Sequence, residues 1–162
     1  MEDISFKAIT DKDIVELTSI MRESFNQDSA VNLGNGVKNG PPGYDNGEFL
    51  NKWALHNAST SFKILRSYEC IGGVILWITE KQINKLGCLF LKPELQGRGI
   101  GTDLWKCIEN MYPETKIWYT ETIGYSMSNH HFYVNKCGFN IIRIEEPFNK
   151  LKRQFIMEKK MK

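Results

Sequence analysis

Three glycines alternate at Gly97, Gly99 and Gly101, with Arg98 among them. They follow an apolar segment, Leu86–Leu91, and precede an amphipathic one that starts at Ile100. Glycines let backbone N–H groups converge and let a ligand approach the chain closely. A helix starting there adds partial positive charge and unpaired donors. The chemistry that fits is capture of a diphosphate or a similar anion. The plainer alternative is a glycine-rich turn without a ligand. A Walker loop needs GxxxxGK[ST], and the chain has no such Lys. A dinucleotide fingerprint needs GxGxxG directly after the strand, whereas here the pattern is GxGxG and KPELQ intervenes. Glu121 does stand at the distance of a ribose-binding acid, which keeps a nicotinamide nucleotide enzyme open. Too little chain follows it for a doubly wound sheet.

Other reactive types carry less. His130 and His131 are adjacent, so on a helix they point different ways and do not readily share one metal ion; a surface pair is the simpler reading, and no metal site is expected. Cys70, Cys88, Cys107 and Cys137 are widely spread, with no CxxC. Neither a zinc ribbon nor a redox motif is expected, and reduced thiols in an intracellular protein are the default. Cys88 has no candidate base near it in sequence, so buried packing is its simpler role.

The elements that must position these residues follow from periodicity. Ile4–Ile9 alternates as a strand, and Thr10 or Asp11 caps a helix to about Phe25. Asn26–Asn46 is crowded with Gly, Asn, Asp and Pro and reads as a long loop, either a binding loop or a mobile one. A helix is expected from about Gly47 to Asn57. Strands follow at Ser61–Arg66, Cys70–Thr79 and Asn84–Leu91, then a helix at Ile100–Met111 that Pro113 ends. Lys116–Thr120 is a further strand. Ser128–Cys137 is a short helix with Ser128 as its cap and Gly138 as its left-handed stop. Phe139–Ile144 and Phe155–Glu158 close the sheet. The order β-α-α-β-β-β-α-β-α-β-β describes one α/β domain over 1–162 with a mixed, mostly antiparallel sheet.

Composition agrees. The 162 residues are 41% hydrophobic and 25% charged, which is enough for a core without disulfides. The net charge of +2 points neither to nucleic acid nor to a membrane surface. Cys70–Ile78 is the longest apolar run, far short of a membrane span, and MEDISFKAITDKD lacks the apolar region of a secretory signal. The basic tail Lys150–Lys162 reads as a closing strand with a frayed end.

Two segments together resemble a known family. Gln96-Gly97-Arg98-Gly99-Ile100-Gly101 is similar to the (Q/R)xxGx(G/A) coenzyme A loop of the GNAT N-acetyltransferase superfamily, and Leu91-Lys92-Pro93-Glu94 to the turn before it. Asn129-His130-His131-Phe132-Tyr133, followed by Gly138-Phe139, resembles the second signature, a Tyr-bearing helix ended by Gly-Phe. One departure stands out: Tyr133 is five residues before the Gly rather than four, and one residue turns a helix by about 100°.

The resemblance implies a single GNAT-like domain whose splayed strand pair binds coenzyme A. It implies direct transfer of an acetyl group from acetyl-CoA to a primary amine of a small molecule or a peptide, without a covalent enzyme intermediate. It implies that Gln96, Gly97, Arg98, Gly99, Ile100, Gly101 and Thr102 hold the pyrophosphate, and that Phe90 and Leu91 pair with the pantetheine arm. Asn129 joins the coenzyme contacts. Tyr133 becomes the acid for the departing thiolate and Glu121 the base for the amine. Their plainer alternatives are an aromatic packed beside Phe132 and a solvated strand-end carboxylate. Tyr44, Asp45 and Glu48 fall where the family contacts its acceptor; a helix N-terminal acid is the simpler role for Asp45. Homodimers are common in that family; the cytoplasmic location rests on the cysteine usage, and the absence of a nucleic-acid or membrane partner on the near-neutral charge. A catalytically silent acyl-CoA-binding or sensor domain of the same fold is the rival reading.

Overall fold

The computed structural model describes residues 3–162. Met1 and Glu2, which the domain reading 1–162 includes, lie outside the described residues. The elements are β1 (Ile4–Ala8), α1 (Ile14–Leu33), α2 (Glu48–Trp53), β2 (Thr60–Arg66), β3 (Glu69–Trp77), β4 (Ile83–Leu91), α3 (Ile100–Met111), β5 (Ile117–Ile123), α4 (Met127–His130), β6 (Asn140–Glu145) and β7 (Gln154–Lys160). Short 3₁₀ turns at Asp11–Asp13 and Pro93–Leu95 lead into α1 and the glycine loop. The element order is the expected one.

The strands form one seven-stranded sheet in the order β1-β2-β3-β4-β5-β7-β6. The pairs β1–β2, β2–β3, β5–β7 and β6–β7 are antiparallel, and β4–β5 is parallel. The fold is therefore α/β with a mixed, mostly antiparallel sheet. The parallel register runs from Ile83↔Ile117 to Leu86↔Thr120, although β4 continues to Leu91 and β5 to Ile123.

The chain divides into two compact units. One holds the chain up to Trp77 together with Gly87–Gln96; the other holds Ile78–Leu86 and Gly97–Lys162. In the first, α1 and α2 bury Leu17, Ile20, Met21 and Leu50 in one apolar cluster with Leu65, Ile75 and Phe90 of the strands. Each such side chain contributes about 1.5–3 kcal/mol on leaving water. In the second, α3 buries Leu104, Trp105 and Ile108. The Trp105 ring meets Trp118 of β5 at 5.1 Å and Phe139 at 5.4 Å.

Three elements differ most from the sequence expectation. Helix α1 runs to Leu33, eight residues past Phe25, because no Gly or Pro interrupts Asn26–Leu33. Ser29 Oγ donates back to the Phe25 carbonyl at 2.7 Å, Asn32 Nδ2 to that of Asp28 at 2.8 Å, and Gly34 ends the helix at φ +121°. Helix α2 is shorter than expected, stopping at Trp53. Strand β5 continues to Ile123, so Glu121 lies within it rather than at its end.

Candidate active site

The Pro93–Leu95 turn carries the chain from β4 into the glycine loop. Gly97 and Gly99 adopt φ of +75° and +81°, a region that favours glycine, and a Cβ added at either would meet nothing within 4 Å. Gly99 caps α3, and the first closed bond there is Asp103 N–H to the Gly99 carbonyl at 3.1 Å. Helical geometry leaves the amides of Ile100, Gly101 and Thr102 without an intrahelical acceptor. Open amides at a helix N-terminus form a cradle for an anion. Gly101 has a different job: its added Cβ would stand 3.0 Å from Cε1 of Phe132, so its bareness lets the second signature pack on α3.

Gln96 and Arg98 behave differently. Gln96 Nε2 donates to Ser24 Oγ at 3.0 Å and to the Leu91 carbonyl at 3.3 Å, so its side chain braces the strand end against α1. Arg98 is exposed. Phe90 and Leu91 are buried, at 3% and 7% exposure, which leaves their backbone as the part able to meet a ligand. A Cβ on Gly72 would collide with the Phe90 carbonyl, and Lys92 N–H reaches the Ile71 carbonyl at 2.8 Å, so the bare Gly72 backbone lies against β4 there.

The second signature opens at Ser126, not Ser128. Ser126 Oγ accepts the Asn129 amide at 3.4 Å, while Asn129 Nδ2 donates to Thr122 Oγ1 at 3.0 Å. Past His130 the helix widens into a π turn over His131–Lys136, with Cys137 N–H on the Phe132 carbonyl at 2.9 Å. A π turn takes in one residue more than an α turn, so the five-residue step from Tyr133 to Gly138 is absorbed inside the helix. Gly138 is the left-handed stop, at φ +87°. Tyr133 is 7% exposed, with its ring 5.1 Å from Phe132 and 5.8 Å from Phe139.

Glu121 is 43% exposed at its side chain and faces Lys85 of β4, Nζ to Oε1 3.4 Å. The α1–α2 loop is pinned to α1. Tyr44 Oη donates to Asn26 Oδ1 at 2.5 Å, and the Asn39 amide donates to Ser29 Oγ at 3.0 Å. Tyr44 thus belongs to the first core cluster. Asp45 is exposed, and its carbonyl accepts from Arg22 at 3.1 Å. Glu48 is also exposed and opens α2. Tyr44, Asp45 and Glu48 belong to the first unit, Glu121 and Tyr133 to the second.

Burial pushes the thiols of Cys88 and Cys137 up to about 12 and that of Cys70 to about 11, so all three stay protonated at neutral pH. His130 packs its ring 4.3 Å from Phe155, while His131 Nδ1 lies 2.8 Å from Asn135 Nδ2. Among the described residues no group of three metal-ligating side chains stands together, and no helix is long and apolar enough to cross a membrane. Sequence reasoning missed Ser24, which braces Gln96, and the contact between Gly87 and Trp77. The signal for the latter was a lone glycine inside the apolar run NKLGCLFL.

Residues 18–139 match the model of the acetyltransferase (GNAT) family. An uncharacterised Bacillus subtilis protein, YrkN, is 39% identical over 82 residues, which are 50% of this chain and 44% of that one. The chain therefore spans less than half of that relative. An acetyltransferase from Thermus thermophilus superposes over 99% of this chain and 100% of its own, with TM-score 0.77 and 16% identity. The PaiA N-acetyltransferase of Thermoplasma acidophilum, crystallised with coenzyme A, does so over 98% and 99%, with TM-score 0.75 and 20% identity. At such identities the likeness is one of fold.

Proposed function

The chain belongs to the acetyltransferase (GNAT) family, and from that premise we propose that 1–162 is one N-acetyltransferase domain that moves an acetyl group from acetyl-CoA to a primary amine. The observation that carries the reading is the open glycine cradle: Gly97 and Gly99 at positive φ with free space above them, at the start of α3. The amides from Gly97 to Thr102 hold the pyrophosphate, and Arg98 adds charge at the rim. The backbone of Phe90 and Leu91 pairs with the pantetheine arm, and Asn129, braced by Thr122, orients it.

The thioester supplies an acyl carbon already activated for attack. The acceptor nitrogen attacks it, the C–N bond forms and the C–S bond breaks. Glu121, directly or through water, takes the proton of the amine; Tyr133 gives one to the departing thiolate. Holding the two reactants together supplies much of the rate. Tyr44 fixes the α1–α2 loop, and Asp45 and Glu48 present carboxylates to the amine end of the acceptor.

The burial of Tyr133 between Phe132 and Phe139 supports a second reading, a silent acyl-CoA-binding domain. Four free cysteines support a reducing, cytoplasmic setting, and a homodimer with no nucleic-acid or membrane partner completes the proposal. Calorimetry with acetyl-CoA and with NAD, followed by an amine panel read by CoA release, tests it. Binding and turnover support transfer; binding alone supports the silent reading; preference for NAD overturns both.

A further inference from the structure

Trp53, His56 and Trp77 form an aromatic group on the first unit that neither the coenzyme loop nor the catalytic pair uses. The Trp53 and His56 rings stack at 6.3 Å, and Trp77 meets them edge-on at 6.1 and 5.2 Å. Trp53 and Trp77 are only half-buried and His56 is exposed. The site is built rather than incidental. Ser59 Oγ donates to the Trp53 carbonyl at 2.8 Å, fixing the end of α2. A Cβ on Gly87 would stand 2.8 Å from Trp77 Nε1, so the indole lies on bare backbone of β4. Gly87 is the first residue past the β4–β5 parallel register, three residues before Phe90, whose backbone the proposed function pairs with the pantetheine arm.

Three donor groups stand at this wall. Lys52 Nζ sits 4.6 Å from the centre of the Trp53 ring. His56 Nδ1 accepts the Ala58 amide at 3.0 Å, so the neutral imidazole carries its proton on Nε2 as a donor. Trp77 Nε1–H is a second ring donor at the wall. Two N–H donors and one ammonium surround flat π faces. A polyamine brings only donors and positive charge, and it would compete with Lys52 for the Trp53 face. A ring stacks on the indoles, and a carboxylate answers Lys52 and the two donors.

We propose that Trp53, His56 and Trp77, with Lys52, form the acceptor-recognition wall, and that it selects amines carrying an aromatic ring and a carboxylate over aliphatic polyamines. This rests on the acetyltransferase reading but has its own readout. Trp105 and Trp118 are 1% and 0% exposed, so indole emission excited at 295 nm reports a ligand through Trp53 and Trp77. L-Phenylalanine and L-phenylglycine, which do not absorb there, are titrated against spermidine and cadaverine.

Saturable change with the aryl amino acids, weakened at least ~10-fold in Trp77→Leu and several-fold in Lys52→Glu, is expected. Lys52 is exposed, so its variant tests the wall even if Trp77→Leu folds poorly. An unchanged acetyl-CoA affinity in both variants separates the wall from the coenzyme site. A response to the polyamines instead, or to neither class, overturns the proposal. Aryl binding in a protein that fails to bind acetyl-CoA would overturn the transferase reading and leave the wall standing.

Discussion

The Cys137 amide donates to the Phe132 carbonyl across five residues, at 2.9 Å. That bond closes the π turn which carries Tyr133. An α-helical path would have swung the phenol by about 100° relative to Gly138 for the one extra residue. The wider turn takes the residue into the helix, and such insertions cluster at functional sites.

Tyr133→Phe isolates the hydroxyl, because the ring contacts with Phe132 and Phe139 persist. Turnover should fall roughly ten- to a thousand-fold with acetyl-CoA affinity unchanged, as for a lost general acid. Single-turnover kinetics and calorimetry on the same variant check it. Unchanged turnover would assign Tyr133 to packing and make Tyr125 the next phenol to test.

Gly99→Val acts on the cradle. The backbone there sits at φ +81°, so a β-branched residue is strained by about 1–2 kcal/mol even though its Cβ meets no protein atom. That Cβ projects into the space proposed for the pyrophosphate. Acetyl-CoA affinity should drop at least ~10-fold while a cooperative melt survives, since 1–2 kcal/mol is a fraction of a domain's stability. Full affinity in the folded variant would remove the loop from the coenzyme site.

The parts of this fold that were legible are those that local chemistry decides. Helix α3 matches its expected bounds because Gly99 opens it and a proline follows it. The glycine loop was legible because alternating glycines before a helix mark backbone at positive φ, as at Gly97 and Gly99. The Asn, Asp and Ser residues of Asn26–Leu33 resemble helix breakers, yet only Gly34 demands a non-helical φ, so α1 outruns its sequence signal. Strand β5 outruns its sequence signal because Thr120 and Thr122 look polar yet are buried, which hides its alternation. The Gly87–Trp77 contact joins two strands, and no local pattern announces such a pair.

Asp13 and Lys63 join the start of α1 to β2 at 2.7 Å, with side chains 13% and 25% exposed. Burial alone would push the Asp13 carboxyl up, but hydrogen bonds from Lys63 and Thr10 outweigh it and hold it below its ordinary 3.8. A depressed carboxyl stabilises the fold above its unfolded value, and that stability is lost as pH falls through the folded value. Lys63 is raised by its bond to Asp13, so its share persists until pH climbs through a value above 10.5. Lys63→Met should lower stability by about 1 kcal/mol at pH 7 and by much less near pH 2, measured by urea melts at both. Equal losses at the two pH values would show that the pair contributes nothing.

Glu121 and Lys85 can be told apart as a base and its neighbour. Their side chains are 43% and 44% exposed at a 3.4 Å separation, so the ion pair itself is worth at most about 1 kcal/mol and is screened by salt. A pair that weak leaves the carboxylate available to an incoming ammonium. If Glu121 removes the amine proton, Glu121→Gln loses roughly 10²–10⁴-fold in kcat/KM near neutral pH. The deficit must shrink as pH rises towards the pKa of the acceptor, because a free amine needs no base. Lys85→Met removes the same ion pair and keeps the carboxylate, so its kcat/KM should stay within about threefold of the parent across the pH range. Profiles from pH 6 to 10 for the parent and both variants make the comparison. Parallel losses in the two variants, flat with pH, would reduce Glu121 to a partner of Lys85 and give proton removal to water.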